Sequence, residues 1–231
     1  MGSLYVALIH YPVYDRNHDV VTSAVTNIDV HDIARSCCTY GVAGFYVVTP
    51  VDALRALVRR ILHHWEDGEG HDFNPTRSEA LALTRLEASL EGVEIDIERR
   101  HGRLPVLVST SARPRTAGPG HEGCPIPIAY EDLRARIDER SGDAGAVAGT
   151  TAGGSRDDDD RDIAKSERDE REDESQGAPW LLLLGTGWGL TEEVLDRCHY
   201  ALGPLRGPTS YNHLSVRAAA AIILDRLRCP R

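Results

Sequence analysis

The chain has 231 residues, of which 41% are hydrophobic, and it carries a formal net charge of −10 at pH 7. This length suits one large domain or two small ones, and no apolar run is long enough to predict a membrane span. The five cysteines include no C-x-x-C pair, which predicts a reduced, cytoplasmic protein without a zinc or other metal site.

Strand and helix patterns alternate over the first 138 residues. Short apolar runs are followed by stretches in which apolar residues recur at helical spacing, as in Leu54, Val58 and Leu62. We predict strands over 4–10, 44–49, 93–100 and 104–110, helices over 31–40, 51–65, 78–90 and 130–138, a loop or hairpin over 14–27 and a loop over 66–75. This alternation indicates an α/β fold, with a mainly parallel sheet flanked by helices.

Residues 139–177 differ in composition from the sequence on either side. They hold 13 acidic and 6 basic residues, together with many small ones. Such a stretch buries too little apolar area to offset the entropy of ordering it. We therefore predict a disordered acidic insertion within one domain formed by 1–138 and 178–231. The rest of the chain is nearly neutral, so the acidic overall balance does not exclude an RNA partner.

A glycine-rich turn follows an apolar strand pattern in the second half of the chain. Residues 180–184 are of strand length, and Gly185, Thr186, Gly187, Trp188 and Gly189 follow directly. In open parallel sheets such a turn commonly meets a ligand, because glycine permits positive φ and close approach of the backbone. The spacing is not that of the dinucleotide fingerprint. A plain tight turn after a core strand is the alternative interpretation.

Two further segments place polar residues at the starts of predicted helices. In residues 27–41, Asp29 is predicted to cap an amphipathic helix, Gly41 to follow its end, and Arg35 to lie away from its apolar face. An ordinary helix with a surface arginine is the alternative. Residues 203–217 form a loop rich in glycine and proline that runs into an alanine-rich helix. The small side chains there permit close approach of a flat ligand or of another backbone.

In order and spacing, these three segments resemble the three motifs of the SPOUT class of S-adenosylmethionine-dependent RNA methyltransferases. Thr-Asn-x-Asp-x-His-Asp-Ile-Ala-Arg, Gly-Thr-Gly-Trp-Gly-Leu and Tyr-Asn-His-Leu-Ser-Val-Arg are similar to the motifs of one bacterial branch. The resemblance implies a C-terminal trefoil knot, S-adenosyl-L-methionine as cofactor, an RNA substrate and a homodimer. It implies cofactor binding by Thr110, Leu184, Gly185, Thr186, Gly187, Trp188, Gly189, Leu205, Tyr211, Asn212, His213, Leu214 and Ser215.

The resemblance also implies which residues lie near the reacting groups. Arg35, from the opposite subunit or from across the cleft, would bind RNA phosphate or orient the acceptor. Asn27 and Asp29 would contact the target nucleotide, although a helix cap is the alternative role for Asp29. Ribose-methylating relatives usually carry a glutamate where this chain has Gly187 and Trp188. We therefore favour a base, such as guanine N1, over the ribose 2′-hydroxyl, and tRNA over rRNA.

Two other functions stay open at this point. The fold could bind S-adenosylmethionine or RNA as a dimer without catalysing a reaction. A nucleotide-dependent oxidoreductase is disfavoured, because the dinucleotide fingerprint and its downstream acidic residue are lacking.

Overall fold

The computed structural model describes residues 2–66, 68–112, 125–139 and 177–229. Its strands are β1 (Leu4–Ile9), β2 (Val13–Tyr14), β3 (Val20–Val21), β4 (Gly44–Val48), β5 (Thr84–Glu87), β6 (Val106–Thr110), β7 (Ile126–Ile128), β8 (Trp180–Gly185) and β9 (Tyr200–Leu202). Its helices are α1 (Asn27–Thr39), α2 (Asp52–Glu66), α3 (Glu69–Phe73), α4 (Pro75–Leu81), α5 (Leu90–His101), α6 (Tyr130–Glu139), α7 (Glu192–Asp196) and α8 (Val216–Arg228).

The strands of the main sheet pair in parallel, which confirms the predicted α/β class. The sheet has seven strands in the order β5-β4-β1-β8-β6-β9-β7, and β2 and β3 form a separate antiparallel hairpin. Strand β8 lies between β1 and β6, with Leu182 in register with Val6 on one side and with Val108 on the other. The carboxyl ends of β1, β6 and β8 therefore meet at one edge of the sheet. The trefoil threading of the chain stays a prediction of the resemblance.

Successive residues of the central strands face two different layers of helices. Leu182 and Leu184 pack in a cluster with residues of α1, α2, α4, α6 and α8. Leu181 and Leu183 pack on the opposite face with residues of α5 and α7. Because both faces of the sheet are covered, β8 is apolar at every position instead of alternating with polar residues.

The predicted strand over 93–100 is wrong, because these residues belong to helix α5. The alternation of Val93, Ile95 and Ile97 with acidic residues is typical of a half-buried strand. In the helix, however, Val93 and Ile97 are buried one turn apart, whereas Ile95 is 44% exposed. The hydroxyl of Ser89 caps this helix, and this cap is the local signal that outweighs the alternation.

The predicted helix over 78–90 is also wrong in its position. Asn74 caps α4 by accepting a hydrogen bond from the backbone of Arg77 at 3.1 Å, and Pro75 occupies the first turn, where proline is favoured. The residues after Leu81 form β5, which pairs with β4. The predicted loop over 66–75 contains the short helix α3.

Helix α1 begins at Asn27, so the prediction that Asp29 caps it is wrong. Thr26 is the capping residue, and its hydroxyl accepts a hydrogen bond from the Asp29 N–H at 3.3 Å. The same hydroxyl donates to the Asp29 carboxylate at 2.5 Å. Asp29 thus lies in the first helical turn, where a carboxylate is favoured by the helix dipole. As predicted, Gly41 follows the helix end, at φ +63°.

The other predicted elements are confirmed within a few residues. They are the strands over 4–10, 44–49 and 104–110, the helices over 51–65 and 130–138, and the hairpin within 14–27. Strands β7 and β9 have three residues each, which is too short for a periodic pattern to predict. Apart from its first and last residues, the predicted insertion over 139–177 lies outside the described residues.

Candidate active site

A cavity of about 770 Å³ lies at the edge of the sheet where β6 and β8 end. Its walls come from the loop before α1 and the first turn of α1, the end of β6, the turn after β8, and the segment from β9 into α8. The volume falls within the range of about 300–1,000 Å³ that is typical of small-molecule sites. Open parallel sheets bind ligands at this edge, where neighbouring strands are connected in opposite directions.

Most of the residues that the sequence predicts for the site line this one cavity. They are Asp29, Thr110, Leu184, Gly185, Thr186, Gly187, Trp188, Gly189, Leu205, Asn212, His213, Leu214 and Ser215. Among the described residues, Asn27, Arg35 and Tyr211 are exposed and do not line it. The structure therefore brings together segments that are far apart in sequence, but it places three of the predicted residues at the surface.

The turn after β8 needs its glycines for conformation and for space. Gly187 has φ +59°, and a Cβ at this position would lie 2.8 Å from the carbonyl oxygen of Tyr14. That carbonyl accepts a hydrogen bond from the Trp188 N–H at 2.9 Å, and the Tyr14 N–H donates to the Gly189 carbonyl at 2.9 Å. The hairpin β2–β3 thus holds the turn in place against the cavity. A side chain at Gly187 would push these two segments apart.

Side-chain hydrogen bonds hold the loop between β9 and α8 over the cavity. The Asn212 amide donates to the carbonyl of Ala112 at 2.7 Å, and the Tyr130 hydroxyl donates to the carbonyl of Gly203 at 3.1 Å. At the end of the loop, the Ser215 hydroxyl caps α8 by accepting from the Ala218 N–H at 3.2 Å. The loop is therefore anchored at several points along its length.

Asp29 lines the cavity, and its carboxylate is held by two neighbours. Arg217 places its Nε 3.0 Å from one carboxylate oxygen, and the Thr26 hydroxyl donates to the other at 2.5 Å. Arg217 also approaches Asp32 at 3.5 Å, but the Asp32 side chain is 44% exposed, against 16% for Asp29. Asp29 is therefore a candidate proton acceptor at the cavity wall.

A chain of hydrogen bonds links the cavity to the buried side chain of His10. His10 Nδ1 lies 2.8 Å from the Ser23 hydroxyl, which lies 2.5 Å from the Thr186 hydroxyl. Thr186 in turn donates to the carbonyl of Ile9 at 2.8 Å. Burial lowers the pKa of His10 from 6.5 to about 4, so its ring is neutral at physiological pH. Ser23 and Thr186 both line the cavity.

Several lining residues have no role in the sequence-based prediction. They are Ser23, Ala24, Ala112, Tyr130, Ala219 and Ile223, whereas Ser111, Gly203, Ser210 and Val216 lie in segments that the resemblance assigns to the cofactor. Val216, Ala219 and Ile223 lie at helical spacing on one face of α8, so a helical projection of that segment could have found them. Ser23 follows no motif, and only its contact with Thr186 reveals it.

The walls of the cavity suit a ligand with both apolar and polar parts. Leu184, Leu205 and Leu214 supply apolar surface, and Thr110 and Ser23 supply hydroxyl groups. A Cβ at Gly189 or Gly203 would meet no atom within 4 Å, so both positions leave the backbone open to a ligand. A nucleoside with a charged amino acid tail, which is the make-up of S-adenosylmethionine, fits this combination of surfaces.

The described ranges contain neither a candidate metal cluster nor a candidate membrane span. No group of three or more His, Cys, Asp or Glu side chains there is placed to hold a metal ion. None of the helices described above is both long and apolar enough to cross a membrane.

A mainly parallel α/β sheet with a cavity at the carboxyl ends of its strands is the arrangement of a ligand-binding α/β protein. A family model described as SAM-dependent RNA methyltransferase matches residues 3–153 and 125–229. The chain belongs to this family of SAM-dependent RNA methyltransferases.

Relatives with similar sequences cover almost the whole chain. A tRNA (guanine-N(1)-)-methyltransferase of Oleidesulfovibrio alaskensis is 37% identical over 225 residues, and one of Nitratidesulfovibrio vulgaris is 39% identical over 225 residues. The alignments cover 97% of this chain but only 42% of each relative, so the chain spans less than half of their length. An uncharacterized protein of Aquifex aeolicus is 35% identical over 97% of this chain and 88% of its own length.

Solved structures of methylases share the fold at low sequence identity. A probable methylase family protein from Haemophilus influenzae Rd KW20 matches with a TM-score of 0.51 and 15% identity, covering 97% of this chain and 64% of that protein. TrmJ from Z. mobilis ZM4 matches with a TM-score of 0.50 and 11% identity, covering 100% of this chain and 70% of that protein. These likenesses concern the fold.

Proposed function

We propose that this chain transfers the methyl group of S-adenosylmethionine to N1 of a guanine in tRNA. The observation that carries the proposal is the Asp29 carboxylate, which faces the cavity and is oriented by Arg217 and Thr26. The names of the two relatives from O. alaskensis and N. vulgaris support guanine N1 and tRNA in particular.

The cofactor is assigned to the part of the cavity between the turn after β8 and the loop before α8. When bound, S-adenosylmethionine supplies an electrophilic methyl group on a positively charged sulfur. Gly189 leaves its backbone open to the cofactor, whereas Gly185 and Gly187 let the turn pack closely on Leu190 and Tyr14. Leu184 and Leu205 cover apolar surface. The remaining residues assigned to the cofactor are Thr110, Thr186, Trp188, Asn212, His213, Leu214 and Ser215, and they line the same cavity.

Asp29 is assigned the role of general base. Guanine N1 carries a proton that must leave as the new N1–methyl bond forms and the sulfur–methyl bond breaks. The carboxylate of Asp29 takes this proton, and the methyl group itself needs no acid catalysis. Arg217 and Thr26 fix the direction of the carboxylate, so the rest of the work is to hold the two reactants in line.

Asn27, Arg35 and Tyr211 are assigned to contacts outside the cavity of their own chain. All three are exposed at the surface of the described structure. Asn27 lies in the same helical turn as Asp29, which places it near an entering nucleotide. We assign Arg35 to the cavity of the partner subunit in a homodimer, where its guanidinium binds RNA phosphate.

Nucleoside analysis tests the proposal directly. The full chain is incubated with S-adenosylmethionine and tRNA or rRNA from cells that lack the gene, and the digested nucleosides are analysed by mass spectrometry. We expect 1-methylguanosine in tRNA. A 2′-O-methylnucleoside, a product confined to rRNA, or no product at all would contradict the proposal, and the last result would favour a non-catalytic binding protein.

An Asp29→Asn variant tests the base in the same assay. Loss of a general base costs about 10²–10⁴-fold in rate, so we expect a fall of this size in methyl transfer. Asp32→Asn is the matched control, because Asp32 also approaches Arg217 but does not line the cavity. Both variants should bind S-adenosylhomocysteine, but not NAD, in calorimetry. An Asp29→Asn protein with the wild-type rate would exclude Asp29 as the base.

A further inference from the structure

The hydrogen bonds between His10, Ser23 and Thr186 can run in only one direction. A carbonyl oxygen only accepts, so the single hydroxyl proton of Thr186 goes to the carbonyl of Ile9. Thr186 must then accept at its 2.5 Å contact with Ser23, and Ser23 uses its own proton there. Ser23 must in turn accept from His10 Nδ1 at 2.8 Å. Neither hydroxyl proton is therefore available to a ligand.

His10 is held in place against Ser23 by burial and by backbone hydrogen bonds. Its side chain is fully buried, and its backbone N–H donates to the carbonyl of Val48 at 2.9 Å. The Ser23 N–H donates back to the His10 carbonyl at 2.8 Å, so the two residues are also held together through the backbone. Within the described part of the chain, Nε2 of His10 is buried without a hydrogen-bond partner. That is the state expected for a neutral ring whose proton is on Nδ1.

The two hydrogen bonds of Ser23 limit what it can offer to a ligand. A hydroxyl group has one proton and two lone pairs. The proton of Ser23 is used by Thr186 and one lone pair by His10, so one lone pair is left. Ser23 is half-buried and lines the cavity that Asp29 also lines. It therefore presents an acceptor, and no donor, to a ligand in this cavity.

We infer that the Ser23 hydroxyl accepts a hydrogen bond from the 2-amino group of the target guanine, and that His10 is the positioning residue that holds this hydroxyl in place. The inference rests on the proposed function and deepens it. On guanine, the N1–H and the 2-amino group are adjacent donors, of which the first is assigned to Asp29 and the second to Ser23. Adenine has an acceptor at N1 and no 2-amino group, so this wall of the cavity rejects it.

A double-mutant cycle tests the contact, with one change made in the protein and the other in the RNA substrate. Inosine keeps the N1–H of guanosine but lacks the 2-amino group. The wild-type protein, Ser23→Ala and Ser23→Thr are compared by kcat/KM on tRNA that carries guanosine or inosine at the methylated position. We expect the wild type to prefer guanosine by about tenfold, the value of one well-placed hydrogen bond. The preference should vanish in Ser23→Ala and persist in Ser23→Thr, which keeps the hydroxyl.

Other outcomes separate this inference from the proposed function. An equal preference for guanosine in Ser23→Ala and wild type would overturn the contact while leaving N1 methylation intact. A loss of S-adenosylhomocysteine affinity in Ser23→Ala would assign the acceptor to the amino group of the cofactor, and would also overturn it. If the wild type makes no 1-methylguanosine, the proposed function fails and this inference fails with it.

The role of His10 is tested without a mutation. Nitrogen-15 NMR of the histidine side chains, with His10 assigned through its own backbone, distinguishes the two neutral tautomers. We expect the proton on Nδ1 at neutral pH. A proton on Nε2 would make Nδ1 an acceptor, and Ser23 could not then donate its single proton to both His10 and Thr186. That result would overturn the positioning role.

Discussion

Single side chains at the cavity take their properties from neighbours in other segments. Asp29 and Arg217 belong to the first and last of the helices described above, and their side chains meet at the cavity wall. Burial lowers the pKa of His10 to about 4, so its ring carries no charge at neutral pH. The state of His10 follows from its surroundings and not from its type. The sequence predicted Asp29 as a site residue but contained no sign of the role of His10.

The neutral state of His10 predicts a loss of stability in mild acid. Its pKa is about 4 in the folded protein, against the ordinary value of 6.5 that we take for the unfolded chain. Below pH 6.5 the unfolded chain gains a proton that folded His10 does not take up until about pH 4, so its contribution is complete above 6.5 and is lost as the pH falls. Between about pH 7.5 and pH 5 we expect a loss of about 2 kcal/mol from this group.

Urea unfolding of the wild type and of His10→Asn at both pH values measures this loss. The variant lacks the titrating group, so its free energy of unfolding should fall less than that of the wild type. The pKa of His31 is also lowered, chiefly by burial, and this contribution is common to both proteins. Equal losses in the two proteins would show that His10 is not neutral through burial.

The elements that form the site are short and depend on one another. The turn after β8 keeps its shape because the hairpin β2–β3 accepts and donates hydrogen bonds along it, chiefly through Tyr14. Sequence patterns predicted β8, the turn and the start of α8, because glycine, proline and apolar runs are local signals. They failed at α5, where β-branched residues alternate with acidic ones although the segment is a helix. Ile95 is exposed there while Val93 and Ile97 are buried, so the alternation does not mark one buried face.

Gly187→Ala should weaken cofactor binding while the fold is kept. At positive φ, alanine is less favourable than glycine by about 1 kcal/mol of conformational free energy. Its Cβ would also lie 2.8 Å from the Tyr14 carbonyl oxygen. The hairpin must move away, so the turn loses its support at the cavity. We expect at least a tenfold rise in the calorimetric Kd of S-adenosylhomocysteine. Gly207→Ala is the control, because a Cβ there meets no atom within 4 Å and Gly207 does not line the cavity. Equal affinities of the two variants would contradict this account.

At the scale of the whole molecule, the sheet joins two distant stretches of the chain. Strand β8 pairs with both β1 and β6, so the C-terminal segment completes a sheet that the N-terminal half begins. This arrangement brings the three sequence motifs to one edge. It leaves Arg35 exposed and outside the cavity of its own chain, which is why we assign it to the partner subunit in a homodimer.

Mixed dimers test this assignment. Asp29→Asn and Arg35→Ala proteins are each expected to be nearly inactive. If Arg35 serves the opposite cavity, a dimer with one subunit of each kind has one intact site and one site with both changes. Random mixing by co-refolding should then restore about a quarter of the wild-type rate, since half of the dimers are mixed. No recovery would mean that Arg35 serves its own chain, and light scattering that finds only monomers would refute the dimer itself.

Local patterns in the sequence were enough to indicate an α/β fold, the glycine turn at 185–189 and the loop that leads into α8. Periodicity, glycine and proline act within a few residues, so these features need no knowledge of distant contacts. The pairing of β8 between β1 and β6, the ion pair of Arg217 with Asp29, and the contact of Ser23 with Thr186 became known only from the folded chain. Ser23 and Thr186 are 163 positions apart. Such contacts depend on how the whole sheet packs, and the sequence around each residue carries no local pattern that predicts them.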